Sequence, residues 1–417
     1  GGWGGRVGTG CGGGTVTGGS IATNARGIAT VGSWTLGAFV GTQSLDVIAP
    51  GTGLGTLTFS ANATAGGGLN LWVEAVHLNQ GNQDLAGTIG GIAGRAGLLR
   101  VVVKANQANS AAPSVRIRLY LGATLLKEET VAPYLSYVPQ NPSLDHITHT
   151  WDVALTAAEV VAGMSVEVMV DPNGTIAESN VADNRFPQGG GTASLDVMTI
   201  PTFSLLFIPI QSTVQGTTGD VNDGNVGLFT PDLIQRLPVS TVSTPPVHAP
   251  FSTSRDLSTV QGWAELVSDI QAMRTTEVGT ASSIYYHGII GDWGSGVPLG
   301  GIGYVPGSVN SPYRSALSYD RHPFAAGTVA HELGHNLGRD HAPCGGAAGP
   351  DPNYPYPGGI LGTPGYDVSG GGLIGPASTY YDFMSYCNPE WVSDYMFNLM
   401  VNWRRGDPFP SPPASPS

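Results

Sequence analysis

Three of the chain's nine histidines fall within eleven residues, and a glutamate directly follows the first of them. The segment, 329–341, reads VAHELGHNLGRDH, spaced His331-Glu332-x-x-His335-x-x-Gly338-x-x-His341. In a helix, residues four apart share a face one turn apart, so His331 and His335 aim their imidazoles at a common point. Glu332 is rotated about 100° from His331 and reaches a water held there without being a ligand itself. Val329, Leu333 and Leu337, spaced by four, take a different face and anchor the helix to a core. Gly338 permits the left-handed turn that stops a helix, and that turn can return His341 as a third ligand. Three neutral imidazoles with an open fourth position suit one catalytic zinc ion, not a structural one. The expected chemistry is hydrolytic. Bound water acidifies toward a pKa of about 7, and Glu332 takes its proton and later passes it to a leaving amine.

The rest of the chain is turn-rich, with 62 glycines and 31 prolines among 417 residues. That points to many short strands and tight turns instead of a helical bundle. No glycine recurs strictly at every third position, which excludes collagen, and 41% hydrophobic residues exclude disorder throughout. The longest apolar runs, such as 204–210, fall well short of the roughly 20 residues a membrane span needs. With 17 basic against 30 acidic residues the net charge is −13, a field that opposes nucleic acid and anionic membranes as partners. The sequence starts at Gly1 with no initiator Met, charged n-region or apolar h-region, so a secretion signal is expected to be removed or upstream.

Four segments are expected. Residues 1–66 hold strand-turn-strand patterns such as the alternating run 57–61. The stretch GIATVGSWTLGAFVGTQSLDVIAPGTGLGTLTFSANATAG resembles the end of a bacterial immunoglobulin-like repeat, which implies a partial module of that kind. Residues 67–201 carry candidate strands at 69–78, 98–105, 114–121, 149–154, 165–170 and 194–200, with a turn at Asp171-Pro172-Asn173-Gly174. That spacing reads as a sandwich, and VEVMVDPNGTIAESNVADN resembles a late hairpin of adhesion-type modules. A spacer without a binding role is the favoured reading of this module; contact with a cell surface or glycan is the other. Residues 202–407 switch to an α/β pattern: a strand at 203–210, a short helix at 231–237 capped by Thr230, and a longer helix at 256–275. The longer helix carries Val260, Trp263, Val267 and Ile270 along one face, and a strand at 284–290 follows. Residues 408–417, PFPSPPASPS, form a proline-rich tail.

Further along, residues 380–387 read Tyr-Tyr-Asp-Phe-Met-Ser-Tyr-Cys. A HExxHxxGxxH motif followed by a Met-x-Tyr turn resembles the metzincin clan of zinc endopeptidases, and HELGHNLGRDHAPCGG with DFMSYCNPEWVSDYMF looks like its bacterial secreted members. The resemblance implies that His331, His335 and His341 bind zinc and that Glu332 is the general base. It also implies that Met384 lies beneath the site and that Tyr386 binds zinc or stabilises the tetrahedral intermediate. The fold class implied is multidomain: all-β immunoglobulin-like sandwiches followed by an α/β (α+β) catalytic domain. If the two segments meet under the zinc, Cys344 and Cys387 can pair in a disulfide; two separate buried thiols are the alternative. A disulfide requires an oxidising compartment and so agrees with secretion. Cys11 has no evident partner.

The weaker signals are these. The Gly-rich run 300–305 precedes the motif where the clan places an edge strand that pairs with substrate, though a structural hairpin accounts for it nearly as well. The loop 220–225 resembles a calcium site with the wrong spacing, and a plain turn is favoured. Asp351, Asp367 and Asp382 can serve a structural calcium, but orienting loops or ligating histidines is the preferred reading. His146, His149, His248, His287 and His322 lack ligand spacing and read as structural. The function expected is zinc-dependent hydrolysis of peptide bonds in extracellular proteins or glycoproteins. The rivals are a surface adhesin or glycan-binding protein with a non-essential protease domain, and a zinc amidase acting on cell-wall peptides.

Overall fold

The computed structural model describes residues 68–294 and 299–408, together with short stretches before them that include the strands Gly4–Thr9, Thr15–Thr17, Ser20–Ala22, Ser33–Thr35, Gly41–Ile48 and Thr56–Ala63. Cys11 lies outside the described residues. Two compact units are present, Gly1–Asn70 with Ala177–Ser179, and Leu71–Ile176 with Asn180–Ser417.

The first unit contains a four-stranded antiparallel sheet. Gly41–Ile48 pairs along its length with Thr56–Ala63, which holds the alternating run 57–61, and on its other edge with Gly4–Thr9.

The second unit begins with two antiparallel sheets. One is built from β1 (Leu71–Asn79), β2 (Gly97–Ala105) and β5 (Trp151–Leu155), with β2 central. The other runs β4 (Thr124–Val131), β3 (Val115–Leu121), β6 (Met164–Val170). β3 alternates buried and partly exposed residues, as a strand with one face on a core must. β4 carries Leu-Leu-Lys-Glu-Glu-Thr in exposed positions apart from the half-buried Lys127, so it lacks the alternation by which a strand is recognised and escapes a pattern search. The expected strand at 194–200 is only two short pairings, Ala193–Ser194 and Val197–Met198. The expected turn is present: Gly174 N–H donates to Asp171 O (3.0 Å), and Gly174 has φ 64°.

The chain then enters a mixed sheet. β7 (Phe203–Ser212), β8 (Tyr285–Ile290) and β10 (Ser315–Tyr319) are parallel neighbours, and β9 (Gly301–Gly303) pairs antiparallel to β10 at the edge. Helix α2 (Val260–Val278) covers one face, packing Trp263, Leu266, Val267 and Ile270 on Leu206, Ile208 and Ile210. It starts four residues later than expected, because Thr259 is its cap, with Oγ1 accepting from Gly262 N–H at 3.0 Å. Val260 is consequently at the exposed first turn and not on the apolar stripe. Helix α1 (Pro231–Arg236) forms as expected, except that the Thr230 hydroxyl donates to Gly227 O and caps nothing.

The other face of the sheet is covered by α1, α3 (Ala325–Asn336) and α4 (Asp394–Arg405), which share one buried core with Phe203, Leu205 and Phe207. Ile89 and Ile92, from the two-sheet region, belong to that same core. Buried polar groups bind the two regions as well. Asn82 Nδ2 donates to Thr363 O and Val392 O (3.0 and 2.9 Å), while Gly81 O accepts from Tyr366 N–H and Trp391 Nε1 (2.9 and 2.8 Å). The Arg95 guanidinium donates to Ile234 O and Val239 O at 2.7 Å each, gripping the C-terminal end of α1.

Candidate metal centre and its cleft

Helix α3 presents His331, Glu332 and His335, and ends as the sequence requires: Gly338 takes φ 74°, the left-handed region open to glycine. The reversal brings His341 back to its neighbours. One nitrogen from each of the three imidazoles lies within 4.8 Å of the others, and among the described residues this is the group of His, Cys, Asp or Glu side chains able to hold a metal.

The hydrogen bonds of the rings settle which nitrogen is available. His331 Nδ1 contacts Phe383 O at 2.8 Å, His335 Nδ1 contacts Arg339 O at 2.6 Å, and His341 Nδ1 contacts Ala348 O at 2.6 Å. A carbonyl oxygen only accepts, so each Nδ1 carries the proton and each Nε2 keeps its lone pair. His335 Nε2 and His341 Nε2 face each other at 3.2 Å. Two lone pairs at that separation repel unless a proton or a cation comes between them. Burial lowers the pKa of His331 to about 4 and, with the two neighbouring imidazoles, that of His335 to about 3. Protonation is therefore disfavoured, and a divalent cation of borderline softness is what the donor set fits.

Glu332 is 5% exposed, and burial pushes its carboxyl up to about 8. Together with His331 it lines an open cleft of about 750 Å³. Tyr386 stands on the solvent side, its Oη 3.3 Å from His341 Nε2, and desolvation raises its pKa. Met384 is fully buried against Gly334 of α3. Its O accepts from Ala342 N–H (3.0 Å) and its N–H donates to Asp382 Oδ1 (2.8 Å). Cys344 and Cys387 form a disulfide between the chain just after His341 and the chain just after Tyr386.

The three aspartates hold loops. Asp382 is buried, accepts from Met384 N–H and Ser393 N–H, and has its carboxyl raised to about 6 by desolvation. Asp351 N–H donates to His341 O (2.8 Å) while its carboxylate accepts from Tyr395 Oη (2.9 Å), so it fixes the loop behind the third histidine. Asp367 accepts from Ser369. The 220–225 loop closes on itself through Asn222, Asn225 and Asp220. The Gly-rich segment is the edge strand β9, which Asn336 Nδ2 ties to the sheet through Tyr304 O and Ser315 O (3.0 and 3.1 Å).

Several residues at the site carry no sequence signal of their own. The carbonyls of Phe383 and Ala348 orient histidines, yet any residue supplies a carbonyl. Asp232, Arg236 and Glu390 line the cleft as an ion cluster, with Arg236 Nη2 3.1 Å from Asp232 Oδ2 and Nη1 bonded to Glu390 Oε1. Only the i, i+4 spacing of Asp232 and Arg236 hints at it in the sequence.

The family model for metallo-peptidase family M12B, reprolysin-like, matches residues 266–342, from within α2 through the third histidine. No curated protein matches the chain. The family match and the three-histidine cluster together fit a metzincin-like zinc protease. Among the described residues no helix is long and apolar enough to cross a membrane, and the disulfide fits an oxidising compartment.

Proposed function

We propose that this chain is a secreted zinc-dependent endopeptidase, bacterial in type, that cleaves extracellular proteins or glycoproteins. The observation that carries the reading is the set of three imidazoles whose Nδ1 protons are committed to backbone carbonyls and whose Nε2 lone pairs converge. His331, His335 and His341 would hold the ion, which when bound supplies a Lewis acid that polarises a carbonyl and acidifies water. Glu332 takes up a proton on its carboxylate and releases it to the departing amine nitrogen. Tyr386 Oη is positioned to donate to negative charge developing on the attacked carbonyl. The outer edge of β9, which pairs with no further strand among the described residues, offers backbone donors and acceptors to an extended peptide. Met384 and Gly338 support the ligands without touching substrate.

The test is zinc content and digestion of casein and of a mucin glycoprotein, with and without chelator. Glu332→Gln is expected to keep zinc and lose about 10²–10⁴-fold in rate. His335→Ala is expected to lose zinc, and Tyr386→Phe to keep it while losing about 10²-fold in kcat. A purified protein that holds no zinc, or a Glu332→Gln variant at full activity, overturns the reading.

A further inference from the structure

The cleft beside His331 and Glu332 is walled by apolar groups, Leu299, Pro323, Phe324 and Phe383, and carries Asp232, Arg236 and Glu390 among its lining residues. The three ionic side chains are 20%, 12% and 25% exposed. Two carboxylates against one guanidinium leave one negative charge uncompensated in a partly desolvated place, where an added cation is worth most. The opposite ligand is disfavoured. Each terminal nitrogen of Arg236 already faces a carboxylate and its Nε is shut away from solvent, so an anion would meet a guanidinium whose charge is more than balanced.

Helix α3 keeps this cluster open to the cleft. Gly327 sits one turn before His331, and a Cβ there would lie 3.3 Å from Asp232 Oδ2, 3.6 Å from Glu390 Oε1 and 3.8 Å from Arg236 Nη1. Any longer side chain at 327 would stand between substrate and charge. Apolar walls with acidic groups reachable beyond them match a side chain with an aliphatic stem and a cationic tip.

Resting on the protease reading, we propose that the Asp232–Arg236–Glu390 cluster selects substrates with a lysine or arginine beside the scissile bond. The amino acid's cation completes a two-plus-two charge set, and its methylenes lie along Phe324 and Leu299.

The test has two arms on the full chain. In the first, zinc-loaded protein digests an unfolded protein mixture and the cut sites are sequenced. One position beside the cut is expected to be enriched in Lys and Arg; enrichment in acidic or apolar residues there, or none at any position, overturns the proposal. In the second, the inactive Glu332→Gln protein is titrated with paired peptides carrying lysine or its uncharged isostere norleucine at that position, or at each position in turn if no cut sites are found. Lysine is expected to bind about tenfold tighter. Asp232→Asn combined with Glu390→Gln is expected to remove or reverse the ratio. Asp232→Asn alone, which leaves Arg236 paired with Glu390, is expected to reduce it and guards against misfolding of the double variant. Equal binding of the two peptides by the parent protein, or a ratio untouched by both variants, overturns the proposal. Failure to cut any peptide would sink the protease reading, while the binding ratio would still judge the cluster.

Discussion

Glu332 meets bare backbone on its sheet side: a Cβ at Gly301 would stand 2.5 Å from its Oε1 and 2.6 Å from its Cγ. A Cβ at Gly303 would stand 2.6 Å from Glu332 O, and one at Gly334 would collide with Met384 Sδ. The edge strand can lie this close to α3 only because it carries hydrogens where other residues carry carbon. Gly301→Ala is therefore expected to displace the carboxylate and lower kcat/KM by about 10²-fold, the scale of a misplaced catalytic group, with zinc content unchanged. Steady-state kinetics beside metal analysis checks this; a fully active variant would show that Glu332 has slack. The identities of His331, Glu332, His335 and His341 were legible in the sequence because their geometry is local, set by helix pitch and one glycine. The need for Gly301 and Gly334 was not, since it arises from Glu332 and Met384 on other elements.

At the scale of elements, α3 supplies two histidines rigidly, but His341 depends on a loop. Four attachments hold that loop: Asp351 N–H to His341 O, Ala342 N–H to Met384 O, Tyr386 N–H to Cys344 O, and the Cys344–Cys387 disulfide. The bridge closes a ring with a sequence separation of 43 residues. Replacing both cysteines by serine is expected to cost about 3–4 kcal/mol of stability, mostly by freeing the unfolded chain. Urea unfolding of the double variant measures it, and zinc affinity should fall in parallel because His341 loses its tether. An unchanged midpoint would mean that the hydrogen bonds alone fix the loop. The pairing was readable only through resemblance to a family in which both segments meet, as nothing in the spacing of three cysteines selects it. The hold of Arg95 on α1 was unreadable, because its acceptors are the backbone carbonyls of Ile234 and Val239.

For the whole molecule, the core under α1, α3 and α4 includes Ile89 and Ile92, and the polar seam formed by Gly81, Asn82 and Arg95 is buried. A sequence reading separates residues 67–201 from 202–407 because the pattern changes from short alternating strands to strand and helix. The seam is invisible to such a reading, since an isolated glycine, asparagine or arginine looks like a loop residue. The unit formed by 71–176 and 180–408 is expected to melt in one cooperative calorimetric transition. Asn82→Ala, which strands the carbonyls of Thr363 and Val392, should lower its stability by about 2–4 kcal/mol. Two separate transitions within that unit would refute the shared core. The sulfur ring also bears on survival among proteases. A cut anywhere between Cys344 and Cys387 opens the loop but releases nothing: the helix with His331 and His335 and the turn with Met384 remain one covalent molecule. A nick there parts the loop and not the molecule.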